Sequence, residues 1–332
     1  MKLIDKYNRL HNYLRLSVTD RCNLNCVYCN PVSFEKEMVP YSNFLTNREI
    51  IRLVSIFVKK FEFNKVRLTG GEPFARKNII ELIEELTILK NEYQFELSVT
   101  TNGLLINGNF KNLKGHGLDR INFSLDSLNP KRYELITGKN QLHNVLDAIV
   151  DAENAGFSNI KINTVIIKNV NDDEIDDFID YSNKTGRNIR FIEYMPFSNN
   201  GYDKVGFISS QELMTKISQY YELIPNNKNE ESVAMDYRIK DSKALISFIS
   251  PISDHFCGLC NRLRITAEGK LKLCLFSPNK TELELKDMLR NDYSDERIAE
   301  SIIKALVEKD YAHPNIEELI KLKNNNIISV GG

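Results

Sequence analysis

Cys22-Asn23-Leu24-Asn25-Cys26-Val27-Tyr28-Cys29 places three cysteines in one short run, separated by three residues and then two. Core packing gives thiols no reason to gather this way. A structural zinc site usually takes four ligands in two pairs, and no fourth Cys or His follows nearby. Three thiolates suit a cubane iron–sulfur cluster, each holding one iron and leaving the fourth for a non-protein ligand. A three-ligand zinc site is the alternative on spacing alone. Cys257-Gly258-Leu259-Cys260 and Cys274 account for the other three of the six cysteines. A pair followed by a third cysteine on a later hairpin fits a second metal or cluster site. A structural zinc with His255 or Asp254 as fourth ligand stays open.

The chain has 332 residues, room for one large domain or two ordinary ones. Its formal net charge of −1 argues against a general nucleic-acid binder, which would carry a basic surplus. No apolar run reaches membrane-spanning length, and Met1-Lys2-Leu3-Ile4-Asp5-Lys6 lacks an apolar signal region. A soluble, cytoplasmic protein is expected. Six cysteines in such a chain fit clusters or metals in a reducing compartment better than a disulfide scaffold.

The first two-thirds alternate strand and helix patterns. Strands are expected at 13–18, 65–69, 95–100, 120–125, 160–167 and 188–194. Thr46-Asn47-Arg48-Glu49 reads as a capping box opening a helix with Ile50, Leu53, Val54, Phe57 and Val58 on one face. Another helix is expected at 142–155, ended by Gly156, and an acidic one opening at Asn171-Asp172-Asp173-Glu174. Six strand–helix units imply an α/β fold, a parallel sheet curved into an incomplete (β/α)6 barrel. The unusual residues follow the strands' C-terminal ends: the cysteine run, Gly70-Gly71-Glu72-Pro73, Thr100-Thr101-Asn102-Gly103, Ser124-Leu125-Asp126 and Glu193-Tyr194-Met195-Pro196. That rim is where α/β barrels build active sites, so the pattern indicates an enzyme. Shorter strands at 233–239, 244–250, 262–266 and 271–275 then suggest a smaller C-terminal α+β domain. The boundary is set near 225, giving units 1–225 and 226–332.

Arg15, Arg67, Lys161 and Arg190 fall inside the expected barrel strands, and strand periodicity puts Arg262 and Arg264 on one face. Cations in a barrel interior are costly unless paired or solvated, and together they suggest a basic cavity for a polyanion such as a triphosphate.

The stretch from Tyr13 to Pro31, built around Cys-x3-Cys-x2-Cys with an aromatic before the last cysteine, resembles the GTP 3′,8-cyclase family of radical S-adenosylmethionine (SAM) enzymes. The resemblance runs over nearly the whole chain, through Gly-Gly-Glu-Pro, Arg262-Leu263-Arg264 and the terminal Gly331-Gly332. It implies two [4Fe–4S] clusters, one on Cys22, Cys26 and Cys29 and one on Cys257, Cys260 and Cys274, the second meeting the substrate purine. It implies SAM contacts at Tyr28, Gly71, Ser124, Arg190 and Met195, and GTP contacts at Arg15, Arg67, Thr100, Lys161, Arg262, Leu263 and Arg264. Glu72 and the backbone beside it would receive the methionine ammonium. No side chain is implied as acid or base. The implied reaction is the first step of molybdenum cofactor biosynthesis, cyclisation of GTP to 3′,8-cyclo-7,8-dihydro-GTP, with SAM cleaved to 5′-deoxyadenosine and methionine. The implied partners are GTP, an external one-electron donor and a downstream cyclic pyranopterin monophosphate synthase, with relatives pointing to a homodimer. The glycine tail reads equally as a frayed end or as a segment reaching the active site. Where relatives carry Gly, Met and Ala, this chain has Asn8, Asn30 and Leu263; Asn8 tolerates a left-handed backbone, and Leu263 would reshape the purine site. A two-cluster enzyme acting on a peptide and a non-enzymatic zinc protein are the competing readings.

Overall fold

The structure is a computed structural model describing residues 1–31, 39–197, 200–226, 233–243, 245–254, 256–277, 282–322 and 327–331. His255, Gly332, Asn30's followers at 32–38 and most of the expected boundary segment lie outside the described residues.

A short hairpin, β1 (Leu3–Ile4) and β2 (Leu10–His11), precedes the main sheet. Asn8 turns it with φ 63°, the left-handed backbone anticipated where relatives place glycine. Six strands then follow in consecutive, parallel order: β3 (Tyr13–Ser17), β4 (Lys65–Thr69), β5 (Glu96–Thr101), β6 (Arg120–Ser124), β7 (Lys161–Ile166) and β8 (Asn188–Glu193). This is the expected incomplete barrel. Its outward positions are apolar and pack under the helices: Leu14, Leu16, Val66, Leu68, Leu97, Val99, Ile121, Phe123, Ile162, Ile189 and Phe191 are at most 1% exposed. Each such side chain contributes about 1.5–3 kcal/mol by leaving water.

The C-terminal part extends the same sheet. After β9 (Leu223–Pro225) and β10 (Met235–Ile239), β11 (Leu245–Ile249) pairs parallel with β8, and β12 (Arg262–Ile265) pairs parallel with β3 on the other side. Antiparallel β13 (Lys270–Lys272) and β14 (Leu283–Glu284) finish that edge. Among the described residues β11 and β12 do not pair with each other, so the barrel stays open between them. The segment between β11 and β12, described at 250–254 and 256–261, carries two cysteines of the second set.

Local signals held where the chemistry is local. The Thr46 hydroxyl accepts from Glu49 N at 3.2 Å and the Glu49 carboxylate from Thr46 N at 2.7 Å, opening the helix Asn47–Ser55. The acidic helix instead starts at Ile175. Asn171 is fully buried: its Oδ1 accepts from Ile167 N, and its Nδ2 donates to Asp126 O and Val165 O. Glu174 accepts from the Ser127 hydroxyl and from Leu128 N and Asn129 N. These polar side chains tie the loop after β7 to the loop after β6 and are thereby drawn out of the helix.

Candidate active site

Strand alternation turns a cationic face inward. One cavity of about 430 Å³ is lined from all eight parallel strands, including Tyr13 and Arg15, Lys65 and Arg67, Thr100, Asn122, Lys161, Arg190, Arg262 and Arg264, with Cys257, Cys260 and Cys274 in its wall. Neighbouring strands set the cations side by side: Arg15 pairs with both Arg67 and Arg264, and Arg262 with Tyr13. Arg67 donates from Nε to the Tyr13 hydroxyl at 2.5 Å and from Nη1 to Thr100 Oγ1 at 3.4 Å. Among the described residues, Arg190 and Arg262 each keep a buried Nε with no hydrogen-bond partner.

The charges oppose one another. Burial, then Arg264, Arg262 and Arg67, pull Arg15 well below its usual range. Burial and Arg262 bring Arg264 down to about 10, and burial and Arg67 bring Arg190 to about 10. Lys161 falls to about 8 through burial and the Arg190 charge. A cavity that holds cations against desolvation and mutual repulsion favours a multiply charged anion.

The first cysteine loop leaves the C-terminal end of β3. Asn25 N and Val27 N donate to Thr137 O at 3.0 Å and Ile136 O at 2.9 Å, the end carbonyls of the helix Pro130–Thr137. The loop thus satisfies acceptors a helix terminus leaves open. The Tyr28 hydroxyl donates to Asp126 at 2.7 Å, beyond β6. Burial pushes Asp126 up to about 6. Asn200 donates to Tyr28 O at 3.0 Å and Met195 O at 2.8 Å, joining two of the expected SAM residues. Gly71 admits no side chain, since a Cβ there would lie 2.3 Å from Arg21 O. Ser124 sits at the end of β6, paired with Asn163, which in turn pairs with Arg190.

The second set is built differently. Cys260 lies two residues before Arg262, which pairs with Tyr13 at the start of β3, the end opposite the first loop. Cys257 O accepts from Arg9 Nη1 at 2.7 Å, and Arg9 also holds Tyr311 O, Asp310 O and the Asp5 carboxylate. The buried Lys309 ammonium donates to Leu273 O, beside Cys274. Burial raises the Cys260 thiol, yet Lys309, Arg262 N and the Arg262 and Arg264 charges bring it below its ordinary value.

No cysteine is in a disulfide. The three thiols of the first set lie close enough for Cys22 and Cys29 to add, after burial and Asp126, to the upward push on Cys26, and Cys260 and Cys274 act likewise on Cys257. Among the described residues no three His, Cys, Asp or Glu side chains group as ligands of a single ion. In a cubane each thiolate takes its own iron, so two sets of three loosely gathered thiols fit two clusters.

Leu263 is fully buried on the outer face of β12, so strand alternation keeps its side chain out of the cavity lining. The Glu72 carboxylate is 1% exposed and accepts from Thr101 Oγ1, Phe74 N and Asn102 N, so it ties β5 to the glycine turn. The tail is docked: Gly331 O accepts from Arg264 at 2.7 Å and from Arg15 at 3.4 Å, and Ile328 packs on Gly71. Sequence reading passed over Tyr13, Lys65, Asn163 and Asn200; the alternation that selected Arg15 and Arg67 also selects Tyr13 and Lys65.

A barrel of this kind with a three-cysteine loop after its first core strand defines a radical SAM protein. The Radical SAM superfamily matches residues 16–182, and Molybdenum Cofactor Synthesis C matches residues 187–314. In fold the chain is similar to anSMEcpe with bound AdoMet (TM-score 0.61, 16% identity, 96% of this chain and 88% of that one). It is also similar to Streptococcus suis SuiB (TM-score 0.60, 15% identity, 90% of this chain and 69% of that one). In sequence it is 39% identical to the mitochondrial GTP 3′,8-cyclase of Arabidopsis thaliana over 99% of this chain and 83% of that one. It is 40% identical to the GTP 3′,8-cyclase of Thermodesulfovibrio yellowstonii over 91% of this chain and 92% of that one. The Clostridium botulinum GTP 3′,8-cyclase is 39% identical over 99% of this chain and its full length. The chain belongs to the GTP 3′,8-cyclase family.

Proposed function

We propose that the protein is a lyase that cyclises GTP to 3′,8-cyclo-7,8-dihydro-GTP at the expense of SAM, the first step of molybdenum cofactor biosynthesis. The observation that carries this reading is one cationic cavity walled by the second cysteine set, two of whose arginines, Arg264 and Arg15, hold the tail carbonyl of Gly331. Cys22, Cys26 and Cys29 would hold the first cluster, and Cys257, Cys260 and Cys274 the second. When bound, the first cluster would supply the electron for reductive cleavage of SAM, the source of the radical needed at GTP C3′. Tyr28, Gly71, Ser124, Arg190 and Met195 position SAM, with Asn200 fixing the Tyr28 and Met195 backbones. Arg15, Arg67, Lys161, Arg262 and Arg264 take the triphosphate, Thr100 supports Arg67, and Leu263 contributes backbone alone. The wall excludes water from the reacting ribose and base.

The expected division at 225/226 separates a SAM-handling unit from one carrying the second cluster and tail, although their strands share a sheet. No helix among the described residues is long and apolar enough to cross a membrane. A cytoplasmic location, a one-electron donor, a downstream pyranopterin monophosphate synthase and a homodimer complete the reading. The test uses anaerobically reconstituted protein with SAM, GTP and a reductant, followed by mass spectrometry. Deoxyadenosine together with a cyclised GTP isomer is expected. Deoxyadenosine without a GTP-derived product overturns the substrate.

A further inference from the structure

Tyr13 is the one phenol among the described residues of the cavity wall, and it stands among guanidinium groups. Arg67 donates to its oxygen at 2.5 Å, and the Arg262 guanidinium lies 5.6 Å from its ring centre. On its own strand Arg15 faces the same space, and β4 adds Lys65 and β12 adds Arg264. Glu96, the carboxylate among the cavity's described lining residues, is bound to Arg120 at 2.7 Å, and Asp236, outside that lining, acts on Lys161 and Arg190. Tyr13 is instead the group whose negative charge favours the Arg15 cation, and it also favours the charged forms of Arg190 and Arg264.

We propose that Tyr13 exchanges a proton for the substrate's charge: its phenolate is the counter-ion of the arginine array, and it becomes a neutral phenol when a triphosphate enters. The proton comes from solvent, and no other bond is made or broken. This rests on the cavity being the triphosphate site. Burial alone would raise the phenol, but the Arg67, Arg15 and Arg262 charges and the Arg67 hydrogen bond bring it down to about 7, so both forms are accessible near neutrality. Phosphate oxygens drawing the same guanidinium groups would return Tyr13 to its protonated form. The role is one of positioning and charge compensation, with Tyr13 setting the array before substrate arrives.

By linkage, binding that takes up one proton weakens as pH rises above the phenol's value, up to about tenfold per pH unit. Lys161, at about 8, also gains a proton when an anion enters, so its share must be separated. The experiment is calorimetric titration of the cluster-loaded protein with inorganic tripolyphosphate and with GTP near pH 8, in buffers of different ionisation enthalpy. Wild type is expected to take up protons. Tyr13→Phe is expected to bind at least as tightly while taking up about one fewer, and Lys161→Arg to lose only the lysine's share. A second readout needs no variant: the ultraviolet tyrosinate band of the wild type decreases as tripolyphosphate binds. Binding with equal uptake in wild type and Tyr13→Phe, or with an unchanged tyrosinate band, overturns the Tyr13 assignment alone. Failure of either ligand to bind wild type overturns the triphosphate reading and this inference with it.

Discussion

The two cysteine sets each gather three thiols, by opposite means. The first lies on one loop, and its neighbours hold it through nearby contacts: the carbonyl end of the helix Pro130–Thr137 and the Tyr28–Asp126 hydrogen bond. The second is collected from the segment between β11 and β12 and the end of β13, and fastened by Arg9 from the N-terminal hairpin and Lys309 from the C-terminal segment. A contiguous site depends little on distant chain. A collected site depends on every element that reaches it, including buried charges whose loss leaves partners unpaired.

The sharpest way to break this contrast is to remove one ligand from each set. Cys26→Ser is expected to abolish deoxyadenosine formation. Cys274→Ser is expected to keep SAM cleavage and lose the cyclised product. Equal loss of deoxyadenosine in both variants, by mass spectrometry, would show that the sets do not act separately.

The next effect is on stability. Arg9→Met leaves the Asp5 carboxylate buried without its guanidinium partner, whose Nε stands 2.6 Å away. Removing one partner of such a pair costs about 3–5 kcal/mol. Denaturant unfolding is expected to show that loss, and iron analysis to show depletion of the second cluster ahead of the first. Uniform loss of both clusters would erase the distinction.

The same hairpin gives the second region its own pH dependence. His11 is fully buried against Asp5 at 3.0 Å, and burial chiefly lowers its pKa from 6.5 to about 4. The unfolded chain therefore binds a proton that the folded protein refuses between those values. Stability is full above pH 6.5 and declines as pH falls toward 4, by at most about 3 kcal/mol. His11→Gln is expected to flatten that slope in denaturation measured across the window, and an unchanged slope would remove His11 as its source.

Arg264→Ala sharpens the comparison most finely, because Arg264 binds the tail carbonyl and lines the cavity without holding a cluster. Loss of a charged hydrogen-bonding group is worth about 1.5–3 kcal/mol, or about ten- to a hundredfold in kcat/KM for GTP, with uncoupled SAM cleavage remaining. Normal GTP cyclisation by this variant would sink the phosphate assignment.

Local chemistry made much of this legible. The capping box at Thr46, the left-handed turn at Asn8 and the inward arginines of β3, β4 and β12 each follow from residues a few positions apart, where hydrogen bonding, backbone sterics and strand alternation act. What misled was also specific. Asn171 and Glu174 carry a helix-start pattern but spend their polar groups on a neighbouring loop.

The sequence by itself determined the two sets of three thiols, the six-strand alternation and the cationic residues, because each is a matter of residue type at short spacing. The tertiary structure alone decided that β11 and β12 lengthen one sheet, that the second set lies at the end opposite the first, and that Gly331 meets Arg264. It also decided that Tyr13 stands among arginines. Those facts depend on which distant segments share a register and which charges end up facing each other across a low-dielectric cavity, and no spacing along the chain encodes either.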